Sequence, residues 1–340
     1  MNVLILTPDR VGSTLLQRLM TIYMLRKGFD RPVINLHELT NGLTKYYNTE
    51  LNQEMLTKPD GPDRGYYQTL PEITELLSSV DHYKTSRLAQ YHIVNRNDPI
   101  DQQLKFYEYL NDNFYIISCL RENLLEHALS WIIKTHSKRL NVYSAEEKID
   151  VFYDLYKNGI TATREAFTTY LDRYVHYLNW VSRHFHVQQY FNYEQDVPRI
   201  EEYILNLDFM QGADSWETMF GQSFNNYNQC HALLPNLVLS NEDYQGKLNV
   251  PLLEHKLPSS VPATIKVSSE VSVFLERNLE TYKTTNMQIA ELVKQGYLVT
   301  GLPLKLQTLS EKQRIIKNFD QCVTWYTEWK SYKSTIPLSQ

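Results

Sequence analysis

One stretch constrains this chain more than any other: Val3-Leu4-Ile5-Leu6-Thr7-Pro8-Asp9-Arg10-Val11-Gly12-Ser13-Thr14-Leu15-Leu16. An apolar, β-branched-leaning run ends in a short polar turn. The pattern then switches to helical spacing, with Leu15, Leu16, Leu19, Met20, Tyr23 and Met24 recurring three and four residues apart. A strand, a tight loop and a helix N-terminus in this order make an anion site. The first helical N–H groups lack intrahelical acceptors, and the aligned peptide dipoles favour negative charge there. Gly12 lets the backbone approach a ligand closely, Ser13 and Thr14 add hydroxyl donors, and Arg10 adds a forked, permanent charge. Residues Arg10, Val11, Gly12, Ser13, Thr14 and Leu15 are therefore expected to cradle a phosphate or sulfate. The plainer reading is an ordinary βα turn opening an α/β domain.

The nucleotide-triphosphate P-loop does not fit this loop. That motif needs a Lys directly before its hydroxyl residue to reach the terminal phosphates, whereas Gly12 precedes Ser13 and the loop has no Lys. Asp9 would repel a polyphosphate unless it faces away or caps the turn.

A second segment repeats the arrangement. Asn113-Phe114-Tyr115-Ile116-Ile117-Ser118-Cys119-Leu120 has the composition of a buried strand and delivers Arg121 at its carboxyl end. Leu124, Leu125, Ala128, Leu129 and Ile132 follow on one helical face, with Ser130 turned inward nine residues after Arg121. In open parallel sheets ligands bind at the carboxyl ends of strands. Arg121 as a surface charge and Ser130 as a tolerated mid-helix hydroxyl are the competing reading.

The two segments together resemble the sulfotransferases that use 3′-phosphoadenosine 5′-phosphosulfate. Those enzymes follow their first strand with a Pro, a basic residue, a small residue, Gly, Ser or Thr, and Thr. Pro8-Asp9-Arg10-Val11-Gly12-Ser13-Thr14 matches with Asp9 inserted and Val11 in a usually small slot. The family's later Arg and Ser grip the 3′-phosphate, and the nine-residue separation is that of the bacterial sulfolipid-type members. A third segment, ending Tyr193-Glu194 before Asp196-Val197-Pro198, falls where the family shows a late strand ending Tyr-Glu. The resemblance spans roughly residues 1–40 and 113–200.

It implies a P-loop-NTPase-like sulfotransferase fold and in-line transfer of a sulfuryl group to a hydroxyl acceptor (carbohydrate, lipid head group or small metabolite), with no metal required. Arg10 is then catalytic as well as cofactor-binding. In the sulfolipid-type members a Glu just after an Arg-Pro pair is the general base. Here Arg31-Pro32 leads to His37 and Glu38, at a longer separation than the family's, and either residue is a candidate. Lys84, Arg87 and His92 occupy the chain position of an acceptor-side strand and are secondary candidates. A P-loop-type small-molecule kinase and a nucleotide-binding protein without transferase activity remain the alternatives.

Alternation of strand and helix patterns predicts an α/β fold: a three-layer domain with a mostly parallel central sheet flanked by helices. Strands are expected at 2–8, Val33–Leu36, 81–85, 113–120 and within 186–194, and helices at 14–27, 71–79, 100–110 and 199–206. Residues 40–65 are expected to form a loop containing a short helix. The capping box Ser144-Ala145-Glu146-Glu147 opens a helix that Gly159 ends. A longer helix follows, with Phe167, Leu171, Tyr174, Val175, Leu178 and Val181 inward. Residues 1–210 are read as the nucleotide-binding core, and 211–340 as a mostly helical extension on the acceptor side, with helices near 268–295 and 310–333. The broad apolar face of the last helix must pack on the domain, on a second copy of the chain, or as a lid.

With 34 Lys and Arg against 39 Asp and Glu, the net charge of −5 does not ask for nucleic acid. Cys119, Cys230 and Cys322 are too few and too far apart for a disulfide framework. The amino terminus runs directly into a strand, and no apolar run approaches the roughly 18 residues of a membrane span. A soluble cytoplasmic protein is the expectation. The 25 tyrosines are unusually many, and packing with a polar tip or a stacking surface for an acceptor would use them.

Overall fold

The computed structural model describes residues 1–31, 33–48, 52–57, 68–137, 155, 158–215, 217–218, 265–266, 299–300, 312–313 and 315–335. The chain divides into two compact units. Among the described residues the first holds 1–122 and 176–218, and the second holds 123–175 and those from 265 onward.

In chain order the strands of the first unit are β1 (Val3–Thr7), β2 (Val33–Glu38), β3 (Thr44–Asn48), β4 (Gln53–Thr57), β5 (Tyr83–Ala89), β6 (Tyr115–Leu120) and β7 (Gln189–Asn192). Five of them form one sheet in the order β2-β5-β1-β6-β7, every neighbouring pair parallel. Among the described residues the helices of five residues or more are α1 (Ser13–Lys27), α2 (Leu70–Ser78), α3 (Gln90–Val94), α4 (Ile100–Asn113), α5 (Leu124–Ser137), α6 (Arg164–His184), α7 (Ile200–Leu205) and α8 (Phe319–Thr335).

The alternation of side chains along a strand sorts the core. Leu4, Leu6, Ile34, Leu36, Leu88 and Ile116 join one buried cluster with Ile73 and Leu77 of α2, Phe106 and Leu110 of α4, and Trp180 and Val181 of α6. Thr85, one position off that set, meets α1 instead. Thr21 Oγ1 lies 2.6 Å from Thr85 Oγ1, and Gln17 Nε2 donates to the Thr85 carbonyl at 3.1 Å. The far end of α1 is tied to α7 and the turn after it. Tyr23 donates to Glu201 at 2.8 Å, and Lys27 Nζ donates to the carbonyls of Phe209 and Gln211 at 2.6 and 2.8 Å. Helices therefore cover both faces of the sheet. This is why β1 carries no polar alternation: Val3 to Leu6 are all fully buried.

Three expectations need correction. Within 40–65, where a loop with a short helix is expected, the described residues form an antiparallel β3–β4 pair preceded by a single 3-10 turn at Leu39–Asn41. The β-branched and aromatic residues of Thr44-Lys45-Tyr46-Tyr47 suit a strand once a partner is present. On α6, Leu178 is exposed while Tyr177 is buried, its hydroxyl donating to the Leu6 carbonyl at 3.0 Å and sitting 2.8 Å from Ser118 Oγ. The helix is turned by that hydroxyl contact, which a purely apolar count does not register. The strand expected at 81–85 runs on to Ala89, which carries Arg87 within it.

Several tyrosines share this use of a packed ring with a tethered hydroxyl. Tyr83 donates to Asp30 at 2.9 Å, and Ser78 Oγ donates to Tyr109 at 3.2 Å.

In the second unit, Leu129, Ile132 and Ile133 of α5 pack with Phe167 and Leu171 of α6, Ile160, Ile315, Ile316 and Cys322. Phe319, Trp325 and Trp329 of α8 lie against that cluster, so the apolar face of the last helix packs within its own unit. Trp329 Nε1 donates to Asp172 at 3.0 Å, and Asn318 exchanges two hydrogen bonds with the Ala162 backbone. The helix expected near 310–333 is interrupted: Lys312, Gln313 and Ile315 are helical, Ile316 is taken up by a β-bridge to Ile160, and α8 starts at Phe319. Gly159 does end a helical turn, with φ +61° and its N–H on the Leu155 carbonyl at 2.8 Å. The helix start at Ser144, the 268–295 helix and Cys230 lie outside the described residues. Among the described residues no helix is long and apolar enough to cross a membrane.

Candidate anion-binding site

The strand order marks the edge at which open α/β sheets bind their ligands. From β1 the chain runs by way of α1 to β2, on one side; from β6 it continues to β7, on the other. The carboxyl ends of the neighbouring strands β1 and β6 thus flank a topological switch point, where the departing loops separate and leave a crevice. Arg10 and Arg121 follow those two ends.

The loop after β1 turns sharply. Asp9 and Arg10 are both left-handed, with φ of +63° and +56°, and Gly12 follows at +74°. Left-handed backbone is strained for residues with a Cβ, so two in succession mark a conformation imposed by the surroundings. Thr7 supplies part of the restraint, accepting from the Asp9 N–H at 3.0 Å and donating to Ser13 Oγ at 3.0 Å. α1 then begins with Gly12 as N-cap. No side chain caps it, and no acidic residue stands in its first turn. The Leu16 N–H reaches the Gly12 carbonyl at 3.0 Å, so the N–H groups of Ser13, Thr14 and Leu15 precede the first intrahelical bond. A Cβ on Gly12 would lie 3.3 Å from the Tyr193 ring.

Arg121 is buried and faces this loop. Its Nη1 donates to the Arg10 carbonyl at 2.7 Å, and its Nε donates to Glu194 Oε1 at 3.1 Å. The Tyr193 ring stacks under the guanidinium, 4.3 Å from Cζ. The other oxygen of Glu194 accepts from the Glu122 N–H at 2.9 Å. Tyr193 and Glu194 begin a single helical turn after β7. One carboxylate therefore fastens the end of β7 to the end of β6, and Arg121 passes that restraint on to the loop after β1.

On the other side of β1, Arg87 of β5 donates through Nη1 to Thr14 Oγ1, and its Nη2 lies 3.4 Å from Glu38 Oε1. The pairing of β2 with β5 explains how Glu38 arrives there. Asn35 sits opposite Thr85, but Glu38 sits opposite Arg87, three residues along one strand against two along the other. The bulge moves Glu38 off the face of Ile34 and Leu36, and onto that of Arg87. His37 precedes it in β2.

The structure thus brings Arg10, Ser13, Thr14, Glu38 and Arg121 to one edge of one sheet. Val11 and Leu15 are buried beneath the loop. Ser130 belongs to the second unit; it is buried in α5, and its Oγ donates to the Glu126 carbonyl at 2.9 Å. Lys84 sits near the start of β5, about 10 Å before Arg87 at strand spacing, with Nζ on the carbonyls of Val80 and His82 at 3.2 and 2.9 Å. Burial lowers its pKa to about 8. His92 lies in α3 against the Tyr91 ring, 4.1 Å between centroids. Cys119 is a buried free thiol pushed far up by desolvation, which suits core packing.

No protein-family model matches the chain, and no curated protein matches it. The class that the fold defines is an α/β protein with a parallel five-stranded sheet, whose switch point carries a strained loop and an uncapped helix start.

Proposed function

We propose that this chain is a sulfotransferase, moving a sulfuryl group from 3′-phosphoadenosine 5′-phosphosulfate to a hydroxyl acceptor. The observation that carries the reading is the 2.7 Å contact between Arg121 and the Arg10 carbonyl. Both segments that resemble the family meet at adjacent strand ends, within reach of one nucleotide. An uncapped helix start without acidic residues suits a doubly charged group.

The bound phosphosulfate supplies the sulfuryl group and a phosphate leaving group. The N–H groups of Ser13, Thr14 and Leu15, with the two hydroxyls and Arg10, hold its negative charge, as oxyanion donors do in acyl transfer. Arg121 keeps the loop in its strained shape. Glu38, at the same edge, accepts the proton of the acceptor hydroxyl. Alignment and charge neutralisation do most of the work in such transfers, by analogy with phosphoryl transfer.

Thermal unfolding with adenosine 3′,5′-bisphosphate, with ATP and Mg²⁺, and without ligand tests the reading, because a ligand of the folded state raises the midpoint by mass action. Stabilisation by the bisphosphate is expected. Preference for ATP and Mg²⁺ would move the assignment to a kinase, and indifference to both would remove it.

A further inference from the structure

We infer that Arg87 is the positioning cation of the anion loop, delivered from β5 in place of the lysine that the loop lacks, and that it acts through Thr14. The inference rests on the loop being an anion site, as proposed above.

Three observations converge on Arg87. Its Nη1 donates to Thr14 Oγ1. A hydroxyl that accepts from a guanidinium has its own proton left to give, so Thr14 is set as a donor. The parallel contact of Thr7 with Ser13 does the same for the neighbouring hydroxyl, since Thr7 donates to Ser13 Oγ at 3.0 Å. Both loop hydroxyls are thus backed by a donor, an arrangement that suits an anion in front of them and would not suit a cation.

The second observation is the place of Arg87 between loop and carboxylate. The same guanidinium that meets Thr14 through Nη1 lies 3.4 Å from Glu38 through Nη2, and both side chains of that pair are only 11 % exposed. One fork therefore spans the loop and the residue proposed to take the acceptor proton. A lysine, with a single ammonium, has no such span.

The third is a polar stripe on α1. Thr14, Gln17 and Thr21 stand at helical spacing, and each meets β5: Arg87, the Thr85 carbonyl and the Thr85 hydroxyl in turn. Gln17 and Thr21 are fully buried. The stripe fixes the rotation of α1 against β5, and so keeps Thr14 over Arg87.

The test measures binding of adenosine 3′,5′-bisphosphate and of inorganic sulfate by calorimetry to the full chain and to Arg87→Met, Arg87→Lys, Thr14→Val and the double variant Arg87→Met/Thr14→Val. Each of the Met and Val variants is expected to weaken the bisphosphate about tenfold, and the double variant no more than either alone, because Thr14 donates only when Arg87 orients it. Arg87→Lys is expected to keep sulfate binding within about threefold of the full chain, because it retains the charge. Should Arg87→Met fail to fold, the lysine variant and Thr14→Val carry the comparison. Independent, multiplying losses in the double variant would overturn the inference, as would unchanged affinity in Arg87→Met or in Thr14→Val. A full chain that binds neither probe would instead overturn the anion site itself.

Discussion

Arg121 Nη1 holds the carbonyl oxygen of Arg10 at 2.7 Å, so a residue at the end of β6 fastens the strained turn after β1. The same guanidinium is anchored by Glu194 and stacked on Tyr193. The shape of the loop after β1 is therefore set in part from the end of β7, two strands away.

Arg121→Ala should loosen that loop and leave Glu194 without its ion pair. A loss of about 2–4 kcal/mol is expected, since removing one partner strands the other in a part-buried place. Urea unfolding measures it, and binding of adenosine 3′,5′-bisphosphate should weaken in step. Arg10→Ala should instead bind the nucleotide nearly as well while transfer slows by about 100-fold or more, the usual effect of losing one charge-stabilising donor.

Gly12→Ala should destabilise by about 1–2 kcal/mol, because the position needs φ of +74° and the new methyl would press on Tyr193 at 3.3 Å. Removing the ring with Tyr193→Ala should restore only part of that, since the backbone strain persists. Full recovery in the double variant would show that crowding alone dictates glycine here.

Acid stability should depend on His82. Burial, with Lys84 adding repulsion, lowers its pKa to about 3 from 6.5. Below pH 6.5 the unfolded chain takes up a proton that the folded chain refuses, so stability falls as pH drops from about 6.5 toward 3. The integrated loss is on the order of 3–5 kcal/mol. His82→Leu should flatten this limb in urea midpoints measured between pH 4 and 7.

Lys84 should give a second limb of the same sign, at alkaline pH. Its folded pKa of about 8 lies below the unfolded 10.5, so between those values the unfolded state again binds more protons. Stability should rise with pH across that window, and Lys84→Met should abolish the rise.

In the second unit, Lys312 is buried with its Nζ on Glu126 Oε1. Lys312→Met should cost about 3 kcal/mol by removing this cation from a part-buried carboxylate. Adding Glu126→Gln should recover part of the loss in thermal melts.

Much of this was legible along the chain, because the signals are local. The run of Val3 to Leu6 followed by Gly12 and helical spacing defines strand, loop and helix within 25 residues, and 113–130 does the same around Arg121. A parallel sheet wrapped on both faces makes such strands uniformly apolar, which is the pattern that was read. The β3–β4 pair was not legible, since Thr44 to Thr57 become strands by finding each other.

The sequence by itself determined that two basic residues end two buried strands, and that a hydroxyl-bearing helix start follows the first. Only the tertiary structure decided that β5 lies beside β1, which brings Arg87 under Thr14, and that a one-residue bulge in β2 turns Glu38 toward Arg87. Strand order and register are chosen by packing between segments far apart in the chain. A period of two says which residues share a face, and says nothing of which neighbour that face will meet.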